Sequence, residues 1–186
     1  IENSLYAIDI DPGSIEIAKL RLWLSIIVDE PKYLNELILP NLDFKIIEAN
    51  SLLTFPIDVF NYDDFNKIVE LKKFYYNEKN YEKRINIKDK IDKLINSIKE
   101  QGIFDFRIIF FEIFNSKKIE NCGFDIIIAN PPYTGEKGNK LELEKIKKGE
   151  LESFYIRKMD YFYFFFHLAI NVLNFKRRKL SIGIKL

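Results

Sequence analysis

The chain has 186 residues, 47% of them apolar, and its 29 Lys and Arg face 28 Asp and Glu for a net charge of +1. That length suffices for one domain with a sizeable core, and the balanced charge lacks the basic excess of a dedicated nucleic-acid surface. A single cysteine, Cys122, excludes an intrachain disulfide framework, and one Cys with one His leaves no zinc-ligand cluster, so no metal is expected. The longest apolar run, residues 161–173, contains His167 and Asn171 and is too short to span a bilayer. No signal peptide is visible, and a reducing cytoplasm is the expected compartment.

Residues 4–10 alternate and then turn acidic at Asp9, as a strand should. Asp11-Pro12-Gly13 breaks the strand. From 14 to 27 the apolar residues Ile15, Ile17, Ala18, Leu20, Leu22, Trp23, Leu24 and Ile27 fit a helix with a wide buried face, with Asp11 or Ser14 as its cap. An acid at the end of an early sheet strand can accept hydrogen bonds from ribose hydroxyls, and Asp9 has that position. The bland reading is a strand end followed by a helix cap, which suits Asp11 better than Asp9. Residues 31–43 read as a loop with a short helical piece, and 44–49 as the next strand. Asn50-Ser51-Leu52-Leu53 follows its end, either as a turn or as a binding edge.

Residues 57–102 change character. A helical stretch at 64–72 is followed by 79–100, dense in charge but with Ile85, Ile87, Ile91, Leu94, Ile95 and Ile98 on one stripe. This is an amphipathic helical hairpin with a solvated face. Residues 104–114 are apolar at nearly every position and read as a strand or an extended segment packed on the sheet.

The stretch 126–129, Ile-Ile-Ile-Ala, runs into Asn130-Pro131-Pro132-Tyr133. A short apolar run bounded by turn formers reads as a strand buried on both faces. Asn130 stands just past its C-terminal end, the edge where open α/β sheets bind ligands. Two prolines fix two φ angles and remove two backbone donors, so the carbonyls of Asn130 and Pro131 are left to accept from something else. Tyr133 adds a flat ring. Residues 134–140 form a Gly- and charge-rich loop in which Lys137 and Lys140 could touch phosphates. Residues 160–174 form a helix apolar nearly all round, with His167 as a core-edge histidine, and 180–184 read as a further strand. Strands alternating with helices give an α/β parallel sheet on whose edge Asp9, Asn50 and Asn130 should collect. Residues 1–56 and 103–186 form the core, and 57–102 are an insertion within it.

Asn130-Pro131-Pro132-Tyr133 resembles the catalytic motif of amino-group methyltransferases that use S-adenosylmethionine (SAM). The surrounding pattern is most similar to the adenine-specific DNA methyltransferases of type IIG restriction–modification enzymes of prokaryotes. The resemblance implies a Rossmann-like methyltransferase sheet and methylation of a flipped adenine in double-stranded DNA at its exocyclic nitrogen. It implies Asn130, Pro131, Pro132 and Tyr133 as the catalytic set. Asp9 and Ile10, Asn50 and Ser51, and Asn130 would contact SAM, with a ring from 161–166 lining the adenine pocket. Asn50 departs from the family, which usually has an acid there; an amide oxygen can accept the same hydrogen bond without charge. The family's Gly-rich first motif does not occur, nor does a target-recognition region or a complete nuclease motif. The chain therefore reads as a sheet truncated at its N-terminus, whose partners are its missing flanking segments and DNA, and SAM binding by it alone is expected to be weak. The same tetrapeptide also serves enzymes that methylate protein glutamine or ribosomal RNA guanine, and a non-catalytic scaffold is the remaining alternative.

Overall fold

A computed structural model describes residues 4–29, 41–53, 62–100, 105–114, 122–132, 134–135, 139–174 and 179–182. The chain divides into two compact units, residues 1–51 and 52–186.

In the first unit, β1 (Ala7–Asp9) and β2 (Ile46–Glu48) pair in parallel, with Ala7 opposite Ile46 and Asp9 opposite Glu48. Between them runs α1 (Pro12–Asp29). Pro12 sits at the first helical position, where its missing N–H costs nothing. Asp11 caps the helix: its Oδ2 accepts from the Ser14 amide and the Ser14 hydroxyl, each at 2.7 Å. The core is Ile15, Leu42 and Ile46, with Ala7, Ala18, Leu22 and Trp23 packed against it. The wide buried face expected for this helix is only partly covered, because Ile17, Leu20, Leu24 and Val28 stay exposed. The lengths explain it. An 18-residue helix is about 27 Å long, whereas three-residue strands cover only about 10 Å.

The second unit opens with a helical hairpin, α2 (Tyr62–Asn77) and α3 (Tyr81–Glu100). Asn80 starts the second helix by accepting from the Lys83 amide at 3.0 Å. Ile68, Val69, Ile91 and Ile95 are buried, as the stripe requires. Lys72 is buried as well, despite its charge. Its amine donates to the Ile109 carbonyl, lies 4.0 Å from a Glu112 carboxylate oxygen, and faces the Phe111 ring at 5.5 Å.

Two short helices follow, α4 (Phe106–Ile109) and α5 (Phe111–Phe114). They replace the strand or extended segment expected over 104–114. Asp105 decides the matter locally, because its carboxylate accepts from the Arg107 amide and caps α4. The helical turn then brings Phe106 within 6.2 Å of Phe110, and both side chains are buried.

β3 (Ile126–Ala129) pairs in parallel with β4 (Lys179–Ile182), Ile126 opposite Lys179 and Ala129 opposite Ile182. The expectation that β3 is buried on both faces is corrected. Ile126 and Ile128 are 59% and 79% exposed, while Ile127 and Ala129 are half-buried. An apolar run with no alternation conceals which face is covered; the pleat sends successive side chains to opposite faces, and Ile126 and Ile128 take the more open one. Between the strands lie α6 (Lys140–Ile146), a short 3₁₀ turn (Glu152–Phe154) and α7 (Tyr161–Val172). On α7, Tyr161, Phe164, Leu168 and Ala169 are buried, but Tyr163 and Ile170 are exposed, so the helix is less enclosed than its composition suggests. His167 is half-buried and stacks on Phe154 at 4.1 Å, the core-edge role expected for it. The short helix within 31–43 falls outside the described residues. No helix among the described residues is long and apolar enough to cross a membrane.

Candidate functional site

Asp9 ends β1, and its carbonyl accepts from the Ala49 amide at 2.9 Å just after β2. The parallel register therefore brings Asp9 and Asn50 to the same C-terminal edge of the first ladder. Asp9 is exposed. Its Oδ1 accepts from the Asp11 amide at 2.9 Å, which turns the carboxylate at the strand end. Ile10 is exposed beyond it, and Asn50 and Ser51 are half-buried. The two acids thus have different tasks. Asp11 is spent on the helix cap, and the Ser14 hydroxyl, then the Ser14 amide, hold its carboxyl below the ordinary value of 3.8 against a small opposing effect of burial. Asp9 presents its carboxylate at the edge.

In the second unit Asn130 follows β3 directly and is exposed; Pro131 is buried and Pro132 exposed. Tyr133 and Lys137 lie outside the described residues, while Lys140 is the exposed first residue of α6. The approach to β3 is fixed from a distance. Phe124 bridges in parallel to Leu173: its amide donates to the Val172 carbonyl at 2.9 Å, and its carbonyl accepts from the Asn174 amide at 2.8 Å. Its ring is edge-on to Phe110 at 5.9 Å and to Phe114 at 5.6 Å, so the two short helices brace the strand's entry. Gly123 has φ +103°, and a Cβ there would stand 2.7 Å from the Asn174 nitrogen and the Leu173 carbonyl carbon. Only glycine combines that φ with so close a backbone approach.

The chain leaving the motif is also held. The Thr134 carbonyl accepts from the Tyr161 amide at 2.9 Å, and Gly135 bridges antiparallel to Asp160. The Tyr161 hydroxyl donates to the Asn139 carbonyl at 2.7 Å, and the Asn139 side-chain amide donates to the Gly135 carbonyl at 3.3 Å. Sequence reasoning did not single out Gly123, Asn139 or Tyr161. A glycine before a strand was a signal for the first; the other two had none.

A cavity of about 110 Å³ in this unit is lined by Asp105, Arg107, Glu150 and Asn171 among others, and none of the sequence-predicted site residues. Its one guanidinium is shared by two carboxylates. Arg107 donates to Asp105 at 2.7 Å and to Glu150 at 2.6 Å. Burial alone would lower the pKa of the guanidinium, but the two carboxylates hold it above its ordinary value.

No solved structure matches the chain. A protein of Methanocaldococcus jannaschii with the provisional description of type II restriction enzyme and methyltransferase is 45% identical over 56 residues, a stretch that covers 28% of this chain but 5% of that relative. The family described as Eco57I restriction-modification methylase matches residues 3–182, nearly the whole length, and the chain belongs to that family.

Proposed function

We propose that the protein containing this chain is a site-specific DNA adenine-N6 methyltransferase that uses SAM and forms the modification part of a type IIG restriction–modification enzyme. The observation that carries the reading is Asn130-Pro131-Pro132 at the C-terminal end of a parallel strand, with Asn130 exposed. Membership of a restriction-modification methylase family supports the reaction class. On this reading each parallel ladder belongs to a Rossmann-like methyltransferase sheet, with α2 and α3 as an insertion.

The chemistry at the first unit's edge fits the cofactor. A SAM ribose offers two neighbouring hydroxyl donors. Asp9 is an exposed carboxylate oriented by the Asp11 amide, and among the described residues its Oδ2 takes no hydrogen bond. Asp9 with Ile10 holds the ribose end, and Asn50 with Ser51 the adenine end. When bound, SAM supplies a methyl group on a sulfonium.

An exocyclic adenine nitrogen is a poor nucleophile because its lone pair is delocalised into the ring. The Asn130 side-chain oxygen and the Pro131 carbonyl accept its two amino hydrogens. That would favour a pyramidal nitrogen whose lone pair could displace the thioether from the methyl carbon, the S–C bond breaking as the N–C bond forms and one amino proton then passing to solvent. Catalysis rests on positioning and on acceptors fixed in advance, and no covalent intermediate on the chain is needed. Tyr133 is the ring the sequence offers for stacking on the extruded base, an interaction of about 1–3 kcal/mol.

The test is label transfer from tritiated SAM to DNA by the full-length protein, with Asn130→Ala as the control. Transfer should fall by at least roughly a hundredfold in the variant, the scale of losing a group that acts on the reacting atoms. Undiminished transfer by Asn130→Ala would sink the assignment. Label appearing in protein glutamine or ribosomal RNA, and not in DNA, would move the substrate.

A further inference from the structure

We propose that Tyr161 is a positioning residue for the Asn130–Pro131 segment, acting through the backbone that leaves the motif; the proposal rests on the reading of that segment as the methylation site. The start of α7 is tied to this backbone by two hydrogen bonds, the first of which belongs to the antiparallel bridge of Asp160 and Gly135. The Tyr161 amide donates to the Thr134 carbonyl at 2.9 Å, Asp160 bridges to Gly135, and the Tyr161 hydroxyl donates to the Asn139 carbonyl at 2.7 Å. The Asn139 side chain closes the figure by donating to the Gly135 carbonyl at 3.3 Å. One residue therefore grips the chain on the near side, at Thr134, and on the far side, at Asn139.

Upstream, the strand carrying the motif is held to the other end of the same helix, where Phe124 exchanges bonds with Val172 and Asn174. The segment between Phe124 and Asn139 is thus fastened to both ends of α7. Asn130 and Pro131 lie within that segment, and the two prolines contribute no amide of their own to hold it. Their placement falls to the β3–β4 ladder, which ends at Ala129 opposite Ile182, and to these flanking anchors. Tyr161 is 2% exposed, with its ring edge-on to Phe164 at 6.4 Å, so it cannot itself touch a base or a cofactor. Removing its hydroxyl deletes a tether and leaves the ring. The Asn139 carbonyl still accepts from the Leu143 amide at 3.0 Å, so α6 keeps its first turn.

Tyr161→Phe in the full-length protein tests the proposal. Small misplacements of a reacting group cost up to roughly a hundredfold in rate, and loss of the Tyr161 hydroxyl tether should lower kcat for transfer to adenine-containing DNA about tenfold. The KM for SAM and the melting temperature should stay near those of the parent. Amide exchange over residues 126–130 should quicken. Asn139→Ala, which removes the bond to Gly135, should act in the same direction with a smaller effect, and it carries the test if Tyr161→Phe does not fold. A kcat equal to the parent's in the folded variants would overturn the proposal, even if Tm falls. If the parent protein itself transfers no label to DNA, the functional reading has failed, and the exchange measurement decides the tether alone. Unchanged exchange over 126–130 in both variants would then overturn it.

Discussion

The two parallel ladders each place candidate chemistry at a C-terminal edge, but they are built by different means. At the edge of β1 and β2 the decisive contacts are local: the Asp11 amide to Asp9, and the Ser14 amide and hydroxyl to Asp11. At the end of β3 they come from far along the chain, with Gly123 and Phe124 seated on residues 172–174 and Thr134 and Asn139 tied to Tyr161. The orientation of the Asp9 carboxylate holds as long as one helix start survives, and only its meeting with Asn50 depends on the parallel register. An edge built from remote contacts depends on the packing of the whole unit, and a single intolerant position can undo it.

Gly123→Ala is the strongest way to break the second kind. The new Cβ would meet backbone atoms of Leu173 and Asn174 at 2.7 Å and the Val172 carbonyl oxygen at 2.8 Å, and φ +103° is strained for any side chain. Backbone atoms cannot turn aside as a side-chain end can. Strain and overpacking together should cost about 3 kcal/mol or more, read as a fall in denaturation midpoint with the m-value unchanged. Methyl transfer should fall with the folded population. A stability within 0.5 kcal/mol of the parent, the usual scale of a neutral surface change, would show that the remote anchoring of β3 is slack.

Lys72→Met is the next test, because it asks whether the remote contacts of the second unit include the hairpin. Methionine keeps the apolar stem of a side chain that is 0% exposed but deletes the amine. The Ile109 carbonyl loses its donor and the Glu112 carboxylate its cation at 4.0 Å. Leaving such groups short of a partner should destabilise by about 2 kcal/mol, measured by urea denaturation. An unchanged midpoint would mean that the hairpin is held by its apolar stripe alone.

The same contrast governs what could be read in advance. The alternation into Asp9, the helical period after Pro12 and the cap at Asp11 are short-range signals, and the first unit was legible from them. Asn130 was legible because two prolines end the strand whatever surrounds it. The segment Phe106 to Phe114 was not, since a run apolar at nearly every position carries neither period, and the polar Asp105 that caps it looks like any loop acid. Ile126 and Ile128 failed for the same reason. The burial of Lys72 was not legible, because a lysine stem can be enclosed while its charge gives no sign of it. Tyr161 is the first of six consecutive residues of which five others are also aromatic or apolar, and nothing in that run marks the one hydroxyl whose acceptor lies 22 residues away.

The smallest effect sharpens the local side of the comparison. In the parent, the Ser14 hydroxyl is the main cause holding the Asp11 carboxyl below its ordinary value of 3.8, with the Ser14 and Gly13 amides assisting. Ser14→Ala removes the hydroxyl and keeps the amides. The Asp11 midpoint, followed by NMR titration, should therefore rise toward 3.8 without reaching it. The sign of the linkage follows from the depressed folded pKa. Asp11 binds its proton more weakly folded than unfolded, so its contribution is present above the unfolded value and is lost as pH falls through the folded one. The stability difference between parent and Ser14→Ala should be constant from neutral pH down to about pH 5 and should shrink below pH 4, where both carboxyls become protonated. Because Asp9 takes its bond from the Asp11 amide and not from the Asp11 side chain, the Asp11 amide should exchange as slowly in Ser14→Ala as in the parent. An Asp11 amide that exchanged faster in Ser14→Ala would mean that the two acids are not divided between cap and edge, because losing the cap would then have loosened the bond that turns Asp9.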